Sequence, residues 1–410
     1  MRACVPFILI LAGSLTASSQ SAPPASPPES VPALKVDVRL VPVHAVVRDS
    51  QGRAVGNLSK EDFQLFENGK PQVITQFSVE HTGGPGAKTS TQPGETAAAV
   101  APQARFTAYL FDDLHLQRND LVEARKAAER QLASLSPATE RAAIFTTSGL
   151  NWEDFTADQA KLHDTLIHLE PRGRPVASNC PNMNYYMADL IANRGDQDAL
   201  QVAASEALAC GFDGNKKLFK AARQMAGSVA REKSEIGRVE TGSALAKLKA
   251  LVQVMSRAPG QRTVIVVSPG FFIGESPAQA EIMDMAVRGE VMVSALDPRG
   301  LMPATDISAP GGGRFNLQNF AYKTLSDTEE QAVLEELADG TGGVFFHNNN
   351  DVDEGFRRAA ATPEYSYVLA FSPQDLKFDG RFHKLKVTVN NGSNLTVQAR
   401  KGYYAPKKKP

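Results

Sequence analysis

Residues 106–117, FTAYLFDDLHLQ, constrain the fold more than any other stretch of this chain. A run with the apolar density of a buried strand ends in Asp112 and Asp113, and a helix-forming segment follows. A strand covered on both faces reads as a near-continuous apolar run and belongs to a parallel sheet flanked by helices. In open sheets of that kind ligands gather at the carboxyl ends of the strands, and paired carboxylates are donors that Mg²⁺ prefers. The residues after the pair are Leu114, His115 and Leu116, so the leucine positions add no oxygen to a cation shell.

The same alternation continues downstream. Strand-like AAIFTTSG, TVIVVSPG, MVSALDPRG and VFFHN alternate with helix-like LVEARKAAERQLASL, DQAKLHDTLIHL, SALAKLKALVQVMSR and EQAVLEELADGTGG, and a last helix is expected around residues 352–361. This pattern predicts an α/β fold with a doubly wound, mostly parallel sheet.

Both ends of the chain carry a β pattern instead. Residues 35–47, KVDVRLVPVHAVV, alternate with the period of a half-buried strand, and Pro42 places that strand at an edge or a bulge. Residues 49–52 supply a turn, and Glu67-Asn68-Gly69-Lys70 marks a hairpin within residues 62–80. Residues 365–372 and 383–404 return to strand periodicity, with a second hairpin signal at Asn391-Gly392. Neither end has enough strands to enclose a core, so the two are expected to pair into one β-sandwich with the α/β domain inserted between them. The expected boundaries are 35–81 and 363–405 for the sandwich, 82–104 for a linker, and 105–362 for the α/β domain, with a helical insertion at 171–240.

Residues 1–19 have the charged start, apolar run and small-residue end of a secretory signal, and 20–34 form a Ser/Pro/Ala-rich linker. The apolar run falls short of the roughly eighteen residues that a spanning helix needs, so an exported, periplasmic or secreted protein is expected. Cys4 leaves with the signal. The remaining cysteines, Cys180 and Cys210, are expected to form one disulfide in an oxidising compartment. A formal net charge of −1 argues against nucleic-acid or anionic-membrane partners, and the only basic run, Lys407 to Lys409, is read as a solvated tail within 406–410.

The order of several blocks resembles proteins with a von Willebrand factor type A (VWA) domain, and more closely the secreted, Acidobacteria-type VWFA-related bacterial proteins. The resemblance covers residues 36–404. It is carried by LSKEDFQLFENGKPQVITQF, Asp112-Asp113, the pair Cys180 and Cys210, Asp297-Pro298-Arg299-Gly300, Thr341-Gly342-Gly343, YSYVLAFSP and GYYAP. It implies a metal-ion-dependent adhesion site built on Asp-x-Ser-x-Ser, a later Thr and a later Asp. Asp112 and Thr241 match that set, Thr241 standing just before a helix that begins near Ser243, and Asp113 is a substitute ligand. The third position has Ser268-Pro269-Gly270 and no acid. The implied site is therefore degenerate, holding Mg²⁺ or another divalent cation weakly or not at all. The alternative role for Asp112 and Asp113 is to cap the helix that follows them.

Other candidates read as structure. NNNDVDEG lacks the spacing of a calcium loop, and Asn350 or Asp351 is expected to cap a helix. His163 and His168 fall off a common helical face. Residues 183–210 predict two helices broken at Arg194-Gly195-Asp196, a hairpin that returns Cys180 to Cys210, with Tyr185 and Tyr186 packing it. GFDGNKK and Gly311 to Gly313 lack a phosphate-loop frame, and the chain has no His-Glu-x-x-His, Gly-x-Ser-x-Gly or Gly-x-Gly-x-x-Gly motif. The expectation is a non-enzymatic binding protein that meets an unknown protein partner at the strand-end face. The rival readings are a metal-dependent hydrolase using Asp112, Asp113 and His115, and a purely structural envelope protein.

Overall fold

The computed structural model describes residues 40–50, 53–81, 104–174, 180–274, 276–301, 314–361, 364–373, 381–390 and 394–405. The predicted signal and linker at 1–34, the start of the opening strand, nearly all of the 82–104 linker, Gly311 to Gly313, the Asn391-Gly392 turn and the basic tail lie outside them.

In β1, Val41–Arg48, the alternation places Val43, Ala45 and Val47 on one face, where they join a core with aromatic residues from both chain ends. Asn68 and Gly69 take positive φ angles of 46° and 80°. That backbone favours Asn-Gly, and it closes the predicted hairpin between β2, Phe63–Glu67, and β3, Lys70–Gln72. β4, Ile74–His81, follows.

The α/β part begins with β5, Arg105–Phe111, α1, Arg118–Ala133, and β6, Glu140–Thr146. β7, Trp152–Thr156, and α2, Gln159–Ile167, come next, then the helical hairpin α3, Tyr185–Ala192, and α4, Gln197–Gly211. α5, Phe219–Met255, is one helix of 37 residues, followed by β8, Gln261–Val267, α6, Ala278–Arg288, and β9, Val291–Leu296. α7, Arg314–Thr341, β10, Phe345–Phe346, and α8, Val352–Ala360, complete it. The chain then returns through β11, Tyr365–Phe371, β12, Phe382–Val389, β13, Thr396–Ala399, and β14, Gly402–Tyr404.

Three sheets result. The six-stranded sheet has the order β10-β9-β8-β5-β6-β7, parallel except for β7. Its central strands are apolar on both faces because helices cover both. Ala108 and Leu110 of β5 pack with α5, α6 and α7, while Tyr109 and Phe111 pack with α1, α2 and α8. The two antiparallel sheets, β13-β1-β11-β4 and β14-β12-β2-β3, join the chain ends: β1 and β4 pair with β11, and β2 pairs with β12. Phe63, Leu65, Tyr367, Leu369, Phe371, Leu385 and Tyr403 fill the core that these sheets share.

Three expectations need correction. β1 is an interior strand, not an edge. Its neighbour β13 pairs only from Ala45 onward, so Pro42 stands in the half flanked by β11 alone, where a missing N–H is tolerated. Thr241 and Gly242 lie in the middle of α5 rather than before a helix. A helical glycine costs about 1 kcal/mol, which the apolar faces on either side of Gly242 outweigh. Asp112 and Asp113 do not cap α1, whose N-cap is Gln117. β7 is a strand that the sequence does not announce, since Glu153 and Asp154 lower the strand propensity of WEDFT.

Candidate functional site

The apolar register of β5 runs out at Phe111, and the next two residues are held between the neighbouring strands. Asp112 N donates to Val267 O at 2.9 Å, and Thr147 N donates to Phe111 O at 3.0 Å. Asp112 therefore sits at the carboxyl edge where the strand order reverses, β6 lying on one side of β5 and β8 on the other. That is the crevice in which open α/β sheets bind ligands.

Side chains from three strand ends close over the two carboxylates. The Thr147 hydroxyl reaches Asp112 Oδ1 at 2.8 Å and Asp113 Oδ1 at 3.0 Å, and Ser268 Oγ donates to Asp112 Oδ2 at 2.6 Å. His115 Nδ1 lies 2.9 and 2.8 Å from the two oxygens of Asp112, which requires a proton on that nitrogen. Ser148 donates to Asp113 twice, from N at 2.8 Å and from Oγ at 2.5 Å. Thr147 and Ser148 belong to no motif, and Ser268 marks only the position where an acid is lacking, although a signal was there: each is a hydroxyl residue placed just after a buried apolar run.

The two carboxylates are shut off from solvent, while His115 and Ser148 stay partly exposed. Asp112 is 0% exposed and Asp113 2%. Arg172 N donates to Asp113 O at 2.6 Å, and a side chain at Gly173 would collide with Leu114 O, so the segment after α2 lies directly on the pair. On the other flank the Phe271 ring lies tilted beside His115, their centroids 6.0 Å apart, while Tyr185 and Tyr186 of the helical hairpin enclose Phe272 at 5.4 and 5.3 Å. Leu116 is core, and Leu114 is partly buried.

The charges of Asp112 and His115 are paired. Burial opposes ionisation of Asp112, but the His115 charge and the hydrogen bonds from His115, Ser268 and Thr147 hold its carboxyl below the ordinary range. Burial likewise opposes protonation of His115, yet the Asp112 charge and hydrogen bond, assisted by Glu240 and Glu330, lift its pKa above the usual value. Burial raises Glu330, which Ser326 and Arg299 partly offset.

Thr241 is buried, and its hydroxyl makes no hydrogen bond to either aspartate; it has no partner among the described residues. The helix reaches the network instead through Ser243, whose Oγ donates to Thr147 O at 3.0 Å. His115 Nε2 is also buried without a partner among the described residues.

The donors gathered around Asp112 and Asp113 compete with any divalent cation for their oxygens. Mg²⁺ needs a near-octahedral oxygen shell at about 2.0–2.1 Å, whereas every carboxylate oxygen of Asp112 and Asp113 already accepts a donor. The position against Asp112 is filled by His115 itself. Among the described residues no group of three or more His, Cys, Asp or Glu side chains is placed to hold a metal.

The other singled-out residues serve local structure. Asp351 caps α8 by accepting from Glu354 N at 2.9 Å. Asp196 caps α4, and Arg194 pairs with Asp189 at 3.0 Å, so Arg194-Gly195-Asp196 is a turn. Cys180 and Cys210 are disulfide-bonded, their Cα atoms 5.9 Å apart. His163 pairs with Glu129, and His168 lies just past α2. Asp297 and Arg299, from the resemblance block, form a partly buried pair at 2.8 Å with Gln331 and Asp327 beside them.

No protein-family model matches this chain, and no curated protein matches it. Among solved structures it is similar to an aerotolerance-related membrane protein from Bacteroides fragilis NCTC 9343 carrying multiple mutations to serine. That likeness has 10% identity and a TM-score of 0.29, over 63% of this chain and 98% of that one. A second is the conserved hypothetical protein BatB from Bacteroides thetaiotaomicron, at 12% identity and a TM-score of 0.28, over 63% and 95%. A third is the three N-terminal domains of the type V pili tip protein Mfa5 from Porphyromonas gingivalis, at 12% and 0.19, over 58% and 36%. Likenesses at that level identify neither family nor activity.

Proposed function

We propose that this chain is an exported, non-enzymatic binding protein of the VWFA-related kind. In this reading a VWA-like α/β domain at 105–362 is carried on a β-sandwich made from both chain ends. It meets a protein partner at the carboxyl edge of its sheet without a bridging metal. The observation that carries the reading is the closed network: two buried carboxylates whose oxygens are saturated by Thr147, Ser148, Ser268 and His115. A cation that bridges two proteins must have an open coordination position, and none faces outward here. The network instead ties the ends of β5, β6 and β8 together and fixes the loops around them. Export is supported by the signal pattern at 1–19 and by the Cys180–Cys210 disulfide, a bond that persists in oxidising compartments. Among the described residues no helix is long and apolar enough to cross a membrane.

The rival hydrolase reading draws on one feature, the Asp112–His115 pair, which resembles a base oriented by a carboxylate. A general base must come within hydrogen-bond reach of the proton it takes, and Nε2 of His115 is sealed inside. Ser268 points its proton at Asp112 rather than at His115. A panel of fluorogenic ester, phosphoester and peptide substrates, assayed with Mn²⁺ and with EDTA, is expected to give no turnover above that of Asp113→Ala. Metal-dependent turnover lost in that variant would establish the hydrolase.

A further inference from the structure

The sandwich sheet β14-β12-β2-β3 packs one face on the core it shares with its partner sheet and turns the other face outward. Strand alternation sorts the side chains of β12: His383 and Leu385 are buried, while Lys384 and Lys386 are exposed. Lys386 stands opposite Phe66 of β2, and Phe66 stands opposite Pro71 of β3, so a half-buried ring and a proline share the outer face with the lysines. Phe66, Gly69, Lys384, Leu385 and Lys386 line a hollow of about 420 Å³. Its turn end is open, since a Cβ on Gly69 would meet no atom within 4 Å. Neither ammonium has an ion-pair partner among the described residues. The outward positions of β2 and β12 hold no carboxylate, because the one acid of β2, Glu67, faces inward, where it accepts from Tyr403 and pairs with His383 at 2.8 Å.

We propose that this hollow docks an acidic segment of a partner polypeptide, its carboxylates meeting Lys384 and Lys386 and an apolar side chain lying against Phe66. The surface belongs to the sandwich and shares no residue with the strand-end network, so it is a second site that stands independently of that reading. The two lysines are two residues apart on one strand, roughly 7 Å at about 3.4 Å per residue. An extended peptide repeats its own side chains on one face at the same spacing, so acids at alternate residues match them. An apolar floor with a few convergent polar groups is the composition of a recognition cleft, whereas a solvated pair of lysines needs no hollow and no ring between them. An anionic bilayer is the poorer occupant, because it is held by clusters of about four to eight basic side chains and cannot enter a recess. A second copy related by a two-fold axis would set the lysines against themselves.

Anisotropy of a fluorescein-labelled Gly-Glu-Leu-Glu-Leu-Glu-Gly peptide, titrated with the purified protein, is expected to rise saturably and to weaken as salt is added. The Gly-Lys-Leu-Lys-Leu-Lys-Gly peptide should not bind. Gly-Glu-Gly-Glu-Gly-Glu-Gly should bind more weakly than the leucine form, since it leaves Phe66 uncovered. In Lys384→Glu/Lys386→Glu the acidic peptide should bind at least roughly tenfold more weakly, and the lysine peptide should now bind. Phe66→Ser should reduce the leucine peptide to the level of its glycine counterpart. The three peptides on the wild-type protein decide the matter even where a variant folds poorly. Absence of saturable binding by the acidic peptide overturns the proposal, as does equal binding of acidic and basic peptides or unchanged binding after the charge swap. Binding to phosphatidylglycerol vesicles with no binding of the acidic peptide would reassign the hollow to a lipid surface and overturn it. Self-association in sedimentation that disappears in the charge-swapped protein would reassign it to a second copy and overturn it too.

Discussion

The Asp112–His115 contact acts as an internal ion pair, and its two members are stabilising on opposite sides of a pH window. His115 has a raised pKa. Its contribution is complete below its unfolded value, about 6.5, and is lost as pH rises through the higher folded value. Asp112 has a depressed pKa. Its contribution is present above about 3.9 and is lost as pH falls through the lower folded value. Stability should therefore be greatest between roughly pH 4 and 6.5 and decline on the alkaline side. His115→Gln keeps a donor to Asp112 but removes the charge, so its urea stability profile should lose the alkaline decline. Parallel profiles for the two proteins would show that His115 is neutral in the fold. At this scale the sequence was partly readable. Asp112 and Asp113 stood out, and the leucines at 114 and 116 already argued against a full cation shell. The identity of their partners did not, because Thr147 and Ser268 are 35 and 156 residues from Asp112 and meet it only through sheet pairing.

Elements were legible wherever one periodicity dominated. The parallel strands, the helical hairpin and the Asn68-Gly69 turn all follow from patterning and turn chemistry. α5 was not recognised as one helix because Gly242 looks like a boundary, and β7 was hidden by its acids. The helical hairpin has a separate core of small residues, among them Ala199, Ala203, Ala207, Ala222 and Ala226. The disulfide spans a sequence separation of 30, and its removal costs about 3 to 4 kcal/mol in the chain-entropy model. That loss should be local. In Cys180→Ser/Cys210→Ser, amide protons of α3 and α4 should exchange faster while those of β5 and β8 keep their protection. Uniform acceleration across the sheet would mean that the hairpin and the sheet unfold as one unit.

Across the molecule, the paired chain ends are fastened to the α/β part by a buried charge. Arg400 is 3% exposed, donates from Nε to Gly402 O at 2.9 Å, and pairs with Asp284 of α6. Removing one partner of a buried pair costs about 3 to 5 kcal/mol, because the other charge is left uncompensated. Asp284→Ala should lower the melting temperature and separate melting of the two parts, seen as a calorimetric enthalpy that no longer equals the van't Hoff value. A single unchanged transition would show that Arg400 finds another partner. The joining of the two ends was foreseeable from strand counting alone, whereas this fastening was not, since Asp284 and Arg400 are 116 residues apart.

The central claim is that His115 and three hydroxyl residues, not a metal, complete the strand-end site, and titration calorimetry with Mg²⁺, Mn²⁺ and Ca²⁺ tests it without knowledge of the partner. No saturable heat is expected from the wild-type protein with any of the three ions. A dissociation constant on the order of micromolar, about 8 kcal/mol of binding, that disappears in Asp112→Asn would contradict the claim and restore a metal-bridged adhesion site.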